Sequence, residues 1–260
     1  MNVKRHRFLC AFLALAVFVS ALFPVSVSAQ EPEQTAAETL TAEDAQQMQQ
    51  TDQAVAALTG SDAAKCVDIM EETIGLLEDG DFIMGGPEHN SHGIMLEFPK
   101  KSNIEGFPIN DGADRRFIAM PAYLGGKFHV AGCKWYGSNG NNRRMGIPRS
   151  NLMFILNDVE TGAPLAFMAA NLLSSARTGA MPGLAAKLLA KKDSKVLAMI
   201  GAGPIAKACF RAIMTNMTNI DTVKIKAGSL KSKTAAQLKE YIEKYFMYNV
   251  IHILYNIIHK

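Results

Sequence analysis

The chain has 260 residues, 48% of them apolar, enough to build the core of one medium domain or two small ones once any leader is removed. A formal net charge of +3 is too small to point to a nucleic-acid partner. The four cysteines (Cys10, Cys66, Cys133 and Cys209) include no C-x-x-C pair and so offer neither a zinc site nor a disulfide framework; the three left after a leader is cut suit reduced thiols.

Lys4, Arg5 and Arg7 precede an apolar stretch over residues 8–23 that only Ser20 interrupts, and Val27-Ser28-Ala29 is a small-residue cleavage site. An export signal is expected over residues 1–29. An uncleaved membrane anchor is the alternative, since the apolar stretch is close to the shortest that crosses a bilayer. Membrane contact is expected through this segment only. Residues 30–60 are rich in Gln, Glu, Ala and Thr and read as a flexible linker. Asp62 then caps a helix with Cys66, Ile69, Met70, Ile74 and Leu77 on one face, and Gly80 ends it.

Residues 81–110 are irregular and rich in Gly and Pro, with one short apolar piece at 94–98. His89 and His92 lie there with no acid or cysteine at ligand spacing, so they read as loop histidines and no metal is expected. Strand-like pieces at 116–120, 128–135, 152–156 and 164–169 predict a mainly antiparallel sheet. Residues 174–189 read as a helix of small residues, which Pro182 should kink or restart.

After a polar break at 191–193 comes an unbroken apolar run, 196–200, the pattern of a strand buried on both faces of a sheet. Gly201-Ala202-Gly203 ends it, and Pro204 suits the first turn of a helix. Ile205, Ala206, Cys209, Phe210 and Ile213 continue at helical spacing. Strand, glycine turn and helix N-terminus together suit a dinucleotide pyrophosphate, because glycine lets backbone approach the anion and the helix start offers N–H donors. The pattern is G-x-G-x-x-A, with Ala206 in the third small position. A strand at 222–226 and an amphipathic helix at 234–246 complete the β-α-β-α order that begins a doubly wound sheet. The tail, 247–260, carries no cap or glycine-turn signal and reads as either strand or helix.

Several cations stand out. Lys134 lies inside the string Ala131-Gly132-Cys133-Lys134-Trp135-Tyr136, where a lysine needs either a path for its head to water or a buried anion. Arg177, in Ser175-Ala176-Arg177-Thr178-Gly179-Ala180, is either a bidentate clamp for a carboxylate or phosphate or a surface helix arginine. Arg116 begins a strand. Arg143, Arg144 and Arg149 read as a solvated loop, since no stacking aromatics follow them.

Read together, Met120-Pro121-Ala122, Gly132-Cys133-Lys134-Trp135, the run Leu156-Asn157-Asp158-Val159-Glu160-Thr161-Gly162-Ala163-Pro164-Leu165-Ala166, Arg177-Thr178-Gly179-Ala180 and Gly201-Ala202-Gly203 resemble the ornithine cyclodeaminase/mu-crystallin family in order and spacing. The resemblance covers roughly residues 62–246. Arg115-Arg116-Phe117 and Gly146-Ile147-Pro148-Arg149-Ser150-Asn151 are most similar to members labelled as a subunit of tyramine oxidase. The resemblance implies an α/β fold: an N-terminal α+β substrate and dimerisation domain over 61–190, then a partial Rossmann-type doubly wound domain over 191–260.

It also implies NAD or NADP as cofactor and a small α-amino or α-imino acid as substrate. The expected chemistry is hydride transfer at the α-carbon, as in a deaminating cyclase or an imine reductase. Lys134 matches the family's carboxylate-binding lysine and Arg177 its arginine; Arg116, with Lys100 and Lys101, is a candidate for a further carboxylate-binding arginine. Thr178 is expected beside the cofactor phosphate or nicotinamide, and Gly201, Gly203, Pro204 and Ile205 match the pyrophosphate loop. Ser229 and Lys231 stand where an acid would bind the ribose, which favours a 2′-phosphate.

The implied assembly is a homodimer. The family is expected in the cytoplasm, against the export or anchoring expected from the leader. Phe117-Ile118-Ala119 replaces the acid that precedes Met-Pro in true cyclodeaminases. The family's catalytic aspartate and closing helices belong past Lys260, so a C-terminally truncated protein of impaired activity is expected. The alternative is a non-catalytic NAD(P)-binding accessory protein of the tyramine oxidase kind.

Overall fold

A computed structural model describes residues 62–90, 92–110, 114–229 and 232–245, together with the backbone of residues 252–254. The expected leader, the linker and Lys231 lie outside the described residues. Among the described residues no helix is long and apolar enough to cross a membrane. They divide into two compact units, one within residues 73–174 and the other within residues 62–72 and 175–260. Helices α1 (Ala63–Asp79) and α2 (Asn171–Leu189) contribute residues to both.

The first unit is a six-stranded antiparallel sheet of β1 (Phe82–Met84), β2 (Ile94–Glu97), β3 (Arg116–Leu124), β4 (Val130–Ser138), β5 (Ser150–Asp158) and β6 (Pro164–Ala169). The order is β1-β3-β4-β5-β6, and β1 and β2 lie end to end along one edge of β3. Both fall in the segment expected to be irregular. The loop between them leaves and rejoins the sheet at glycines: a Cβ on Gly93 (φ +61°) would lie only 2.2 Å from the Ala119 carbonyl oxygen.

β3 continues to Leu124, past the expected end at Met120, through Pro121. The Pro121 carbonyl accepts the Gly85 N–H at 2.9 Å, on the edge where β1 and β2 leave a gap. A strand residue points its N and O to the same side. The missing proline N–H therefore faces that gap, and pairing with β4 is intact.

Every buried residue of β3, β4 and β5 is even-numbered, so one face of the sheet is covered and the other open. The open face is unusually apolar. Ile83, Ile94, Leu96, Trp135, Ile155 and Phe167 (67% exposed) stand on it, and Trp135 stacks on Phe117 with centroids 5.6 Å apart.

In the second unit β7 (Val196–Ile200), β8 (Thr222–Lys226) and β9 (His252–Leu254) form a parallel sheet in that order. Helices α3 (Pro204–Met214) and α4 (Lys233–Tyr245) connect them, which is the doubly wound, Rossmann-type order. Phe210, Met214, Leu238 and Ile242 pack on Met199, Val223 and Ile225 to form the core. This corrects one expectation: β7 is not buried on both faces. Met199 is covered and Leu197 partly so, whereas Val196 and Ile200 (89%) are exposed, because α3 and α4 cover one face of the sheet.

Two further expectations change. α2 runs unbroken from Asn171 to Leu189 through Pro182. The proline removes only its own N–H from the ladder, and close packing of α2 on α3 holds the helix. A Cβ on Gly179 would lie 2.4 Å from the Ala208 backbone carbon, and one on Gly183 would lie 2.8 Å from the Cβ of Ala212, one turn further along α3. In α1, Cys66, Ile69 and Met70 are buried as expected, but Ile74 is exposed while Val67 and Thr73 are buried. Lys187 on α2 ties down the start of α1, with Nζ 3.0 Å from the Asp68 and 2.6 Å from the Glu71 carboxylate.

Candidate functional site

The glycine turn closes β7 and opens α3. Gly201 adopts φ +93°, a conformation that side chains resist, and its N–H donates to the Lys226 carbonyl at the end of β8 (2.8 Å). Ala202 is buried in the core. Gly203 then occupies the N-cap position with extended backbone (φ −73°, ψ 177°) and offers no side-chain oxygen to the first-turn donors. Pro204 follows at the start of the helix. A Cβ on Gly203 would meet nothing within 4 Å, and the same holds at Gly228 just beyond β8. A helix start that lacks a side-chain cap and has open space before it can take an anion on its backbone. Ile205 is exposed beside it, and Ser229 is exposed after β8.

Arg177 and Thr178 come to the same unit through small-residue packing. The contacts Gly179–Ala208 and Gly183–Ala212 advance together along α2 and α3, so the helices run in the same sense where they touch. One turn back along each stand Ser175 and Pro204. This register carries Arg177 and Thr178 to the level of the first turn of α3, the turn that the glycines open. Arg177 is only 5% exposed, so it is not a surface helix arginine, and burial pushes its guanidinium down to about 9. Thr178 is half-buried.

In the first unit, Lys134 sits mid-strand on β4, on the covered face, between Met120 of β3 and Phe154 of β5. At 2% exposure its head does not reach water along the strand surface. The ammonium lies 5.8 Å from the centroid of the Tyr136 ring, a cation–π position. Arg116 begins β3 on the same face, and its Nε is 3.3 Å from the Asp114 carboxylate.

Sequence reasoning missed the other members of this group. Asp114 is held in a left-handed conformation (φ +53°), and its carboxylate also accepts Arg149, so Arg149 is not part of a solvated loop as expected; Arg143 and Arg144 are exposed. The Ser138 hydroxyl donates to the Asp114 carbonyl at 2.9 Å. Thirty-five residues separate Asp114 from Arg149, so no local spacing could have paired them. The G-x-x-x-G spacing of Gly179 and Gly183, by contrast, was legible and is the signal that would have placed Arg177 against α3. Among the described residues no cluster of His, Cys, Asp and Glu could hold a metal ion.

Comparison with known proteins bears on the family and the fold. The profile of the ornithine cyclodeaminase/mu-crystallin family matches residues 60–252. N-((2S)-2-amino-2-carboxyethyl)-L-glutamate dehydrogenase of Staphylococcus aureus is 39% identical over 126 residues, 48% of this chain and 38% of that protein. Δ1-pyrroline-2-carboxylate reductase of Thermococcus litoralis, solved with NADH and L-proline, superposes with a TM-score of 0.61 at 25% identity, over 75% of this chain and 53% of its own. An archaeal alanine dehydrogenase dimer with bound NAD superposes with a TM-score of 0.61 at 30% identity, over 79% of this chain and 54% of its own. The chain thus spans about half the length of these solved relatives, and less of the curated one. With a profile match that takes in both the α+β unit and the glycine-turn unit, the chain belongs to the ornithine cyclodeaminase/mu-crystallin family.

Proposed function

We propose that this protein is an NAD- or NADP-dependent oxidoreductase acting on a small α-amino or α-imino acid. The observation that carries the reading is the turn between β7 and α3, where Gly201 takes φ +93° and the space a Cβ would fill at Gly203 is empty. Gly201, Gly203, Pro204 and Ile205 would hold the pyrophosphate on backbone, with Thr178 beside it. Ser229 and Lys231 would meet the ribose end and favour NADP. The nicotinamide, when bound, supplies or accepts the hydride.

Lys134, in the first unit, and Arg177, in the second, are each a candidate cation for the substrate's anionic group, and Arg116 adds positive charge on the face of the sheet that carries Lys134. Each of the first two is a buried cation. Such a group binds an anion strongly, because little water has to be displaced from it when the anion arrives. Holding the carboxylate fixes the α-carbon, so the main contribution of these residues to rate is orientation. The relatives solved with L-proline and with NAD support this assignment of ligands.

The protein is expected to work as a homodimer joined through the open sheet face of the first unit. That face is apolar across its strands, and one solved relative is a dimer. The decisive experiment is titration of the purified chain with NADH and NADPH, followed by turnover assays on cyclic imines, alanine, proline and ornithine. Saturable binding with turnover that Lys134→Ala abolishes supports the oxidoreductase. Saturable binding without turnover selects the non-catalytic accessory alternative, and absence of binding overturns both.

A further inference from the structure

Lys134 and Tyr136 are two residues apart on β4, so both stand on the covered face of the sheet, about 6.5 Å from each other along the strand. The Lys134 ammonium lies over the Tyr136 ring, 5.8 Å from its centroid. Apolar side chains close the rows on either side. Met120 and Phe154 flank Lys134, and Ile118 and Leu152 flank Tyr136, all four of them buried. An ammonium at 2% exposure in such surroundings has lost hydration that must be offset. An aromatic face offsets part of it, because its electron-rich π surface attracts the cation, and does so more strongly where water is excluded. A ring differs from a carboxylate partner in one respect that bears on function. It carries no net charge, so the positive charge of the ammonium still attracts an incoming anion.

We infer that Tyr136 is a positioning residue for substrate binding: its ring holds the Lys134 ammonium in place and leaves its charge to the substrate's anionic group. The inference rests on Lys134 serving as a cation for that group, as proposed above. Tyr136 acts through Lys134 and through its ring face, so the aromatic ring rather than the hydroxyl is what the role requires. The hydroxyl is the part that Phe lacks, and Arg149 is within electrostatic reach of the tyrosine.

The test is a double-mutant cycle read by calorimetric titration of the full chain, NADH being present so that no turnover occurs. The probe is whichever of L-proline, L-alanine and L-ornithine the wild-type chain binds most tightly. Tyr136→Leu should weaken that binding ~10- to 30-fold, the range expected of a desolvated cation–π contact. Tyr136→Phe, which keeps the ring, should stay within ~3-fold of wild type. In a Lys134→Met background the further change to Leu should cost nothing, because the partner through which the ring acts is gone. NADH affinity and a thermal melt report whether each variant is folded; if Tyr136→Leu is not, Tyr136→Met takes its place in the cycle, as a flexible chain that fills the gap. An equal loss in both backgrounds identifies Tyr136 as packing only, and a Phe variant as weak as the Leu variant removes the ring; either result overturns the inference and leaves the proposed function standing. Unchanged affinity in Lys134→Met, or binding of no probe by the wild-type chain, overturns the assignment of Lys134 and this inference with it.

Discussion

Replacing Gly203 by Val separates a nucleotide cradle from an ordinary turn. The residue has φ −73° and ψ 177°, an extended conformation that a β-branched side chain adopts readily. Its Cβ would meet nothing within 4 Å, so no neighbour has to move. The cost to the fold is limited to a poorer N-cap residue, about 1 kcal/mol or less. A pyrophosphate lying on the first turn of α3 needs the volume that the valine methyls would occupy. Losing one charge-assisted backbone hydrogen bond removes about 1.5–3 kcal/mol, roughly a 10- to 150-fold loss of affinity. The assay is NADH fluorescence enhancement on titration, paired with a thermal melt.

Gly179→Val is the control with the opposite signature. Its Cβ would stand 2.4 Å from the Ala208 backbone, so the α2–α3 packing must open and the melting temperature should fall, by about 1–3 kcal/mol of stability or more. A Gly203→Val protein that melts normally and binds NADH as tightly as wild type would refute the cradle.

Lys134→Met, which exchanges a buried cation for an apolar chain of similar length, should lower amino-acid affinity at least ~10-fold. For Arg177 the sign follows from burial: the folded-state value is lowered to about 9, so the cation is present at neutral pH and is lost as pH rises through about 9. Carboxylate affinity measured by titration should be flat at neutral pH and fall above about 9. Over the same alkaline range the unfolded chain binds more protons than the folded one, so this group's contribution to stability rises with pH, a slope that Arg177→Met removes. Phe167→Asp, on the open sheet face, should convert a dimer to a monomer in light scattering without altering NADH affinity. Burial pushes the Cys66 thiol up to about 11, so it should react with thiol reagents at neutral pH only after unfolding.

Much of the architecture was legible because it is local. The apolar run 196–200, the glycines after it and the helical spacing of Phe210 and Ile213 placed β7, the turn and α3 within the residues where they stand. The sheet of the first unit was readable from its four strand-like pieces at 116–120, 128–135, 152–156 and 164–169, although β1 and β2 were not. They are short edge pieces whose pairing depends on glycines that let backbone approach β3. Pro182 misled because a helix was judged by its own ladder, whereas α2 is held from outside by Ala208 and Ala212. The apolar run of β7 misled in the other direction. Hydrophobicity records that a strand can be buried on both faces, not that something covers both.

The order of residues alone determined which elements form and where the backbone can meet an anion, because strand alternation, glycine turns and helix starts are properties of neighbours a few positions apart. Tertiary structure decided which charges matter. Lys134 is a buried cation only because β4 is flanked by β3 and β5, and Arg149 is drawn partly out of solvent only because the chain brings Asp114 beside it. Desolvation and ion pairing depend on distance in space, and that distance is set by the fold rather than by separation along the chain.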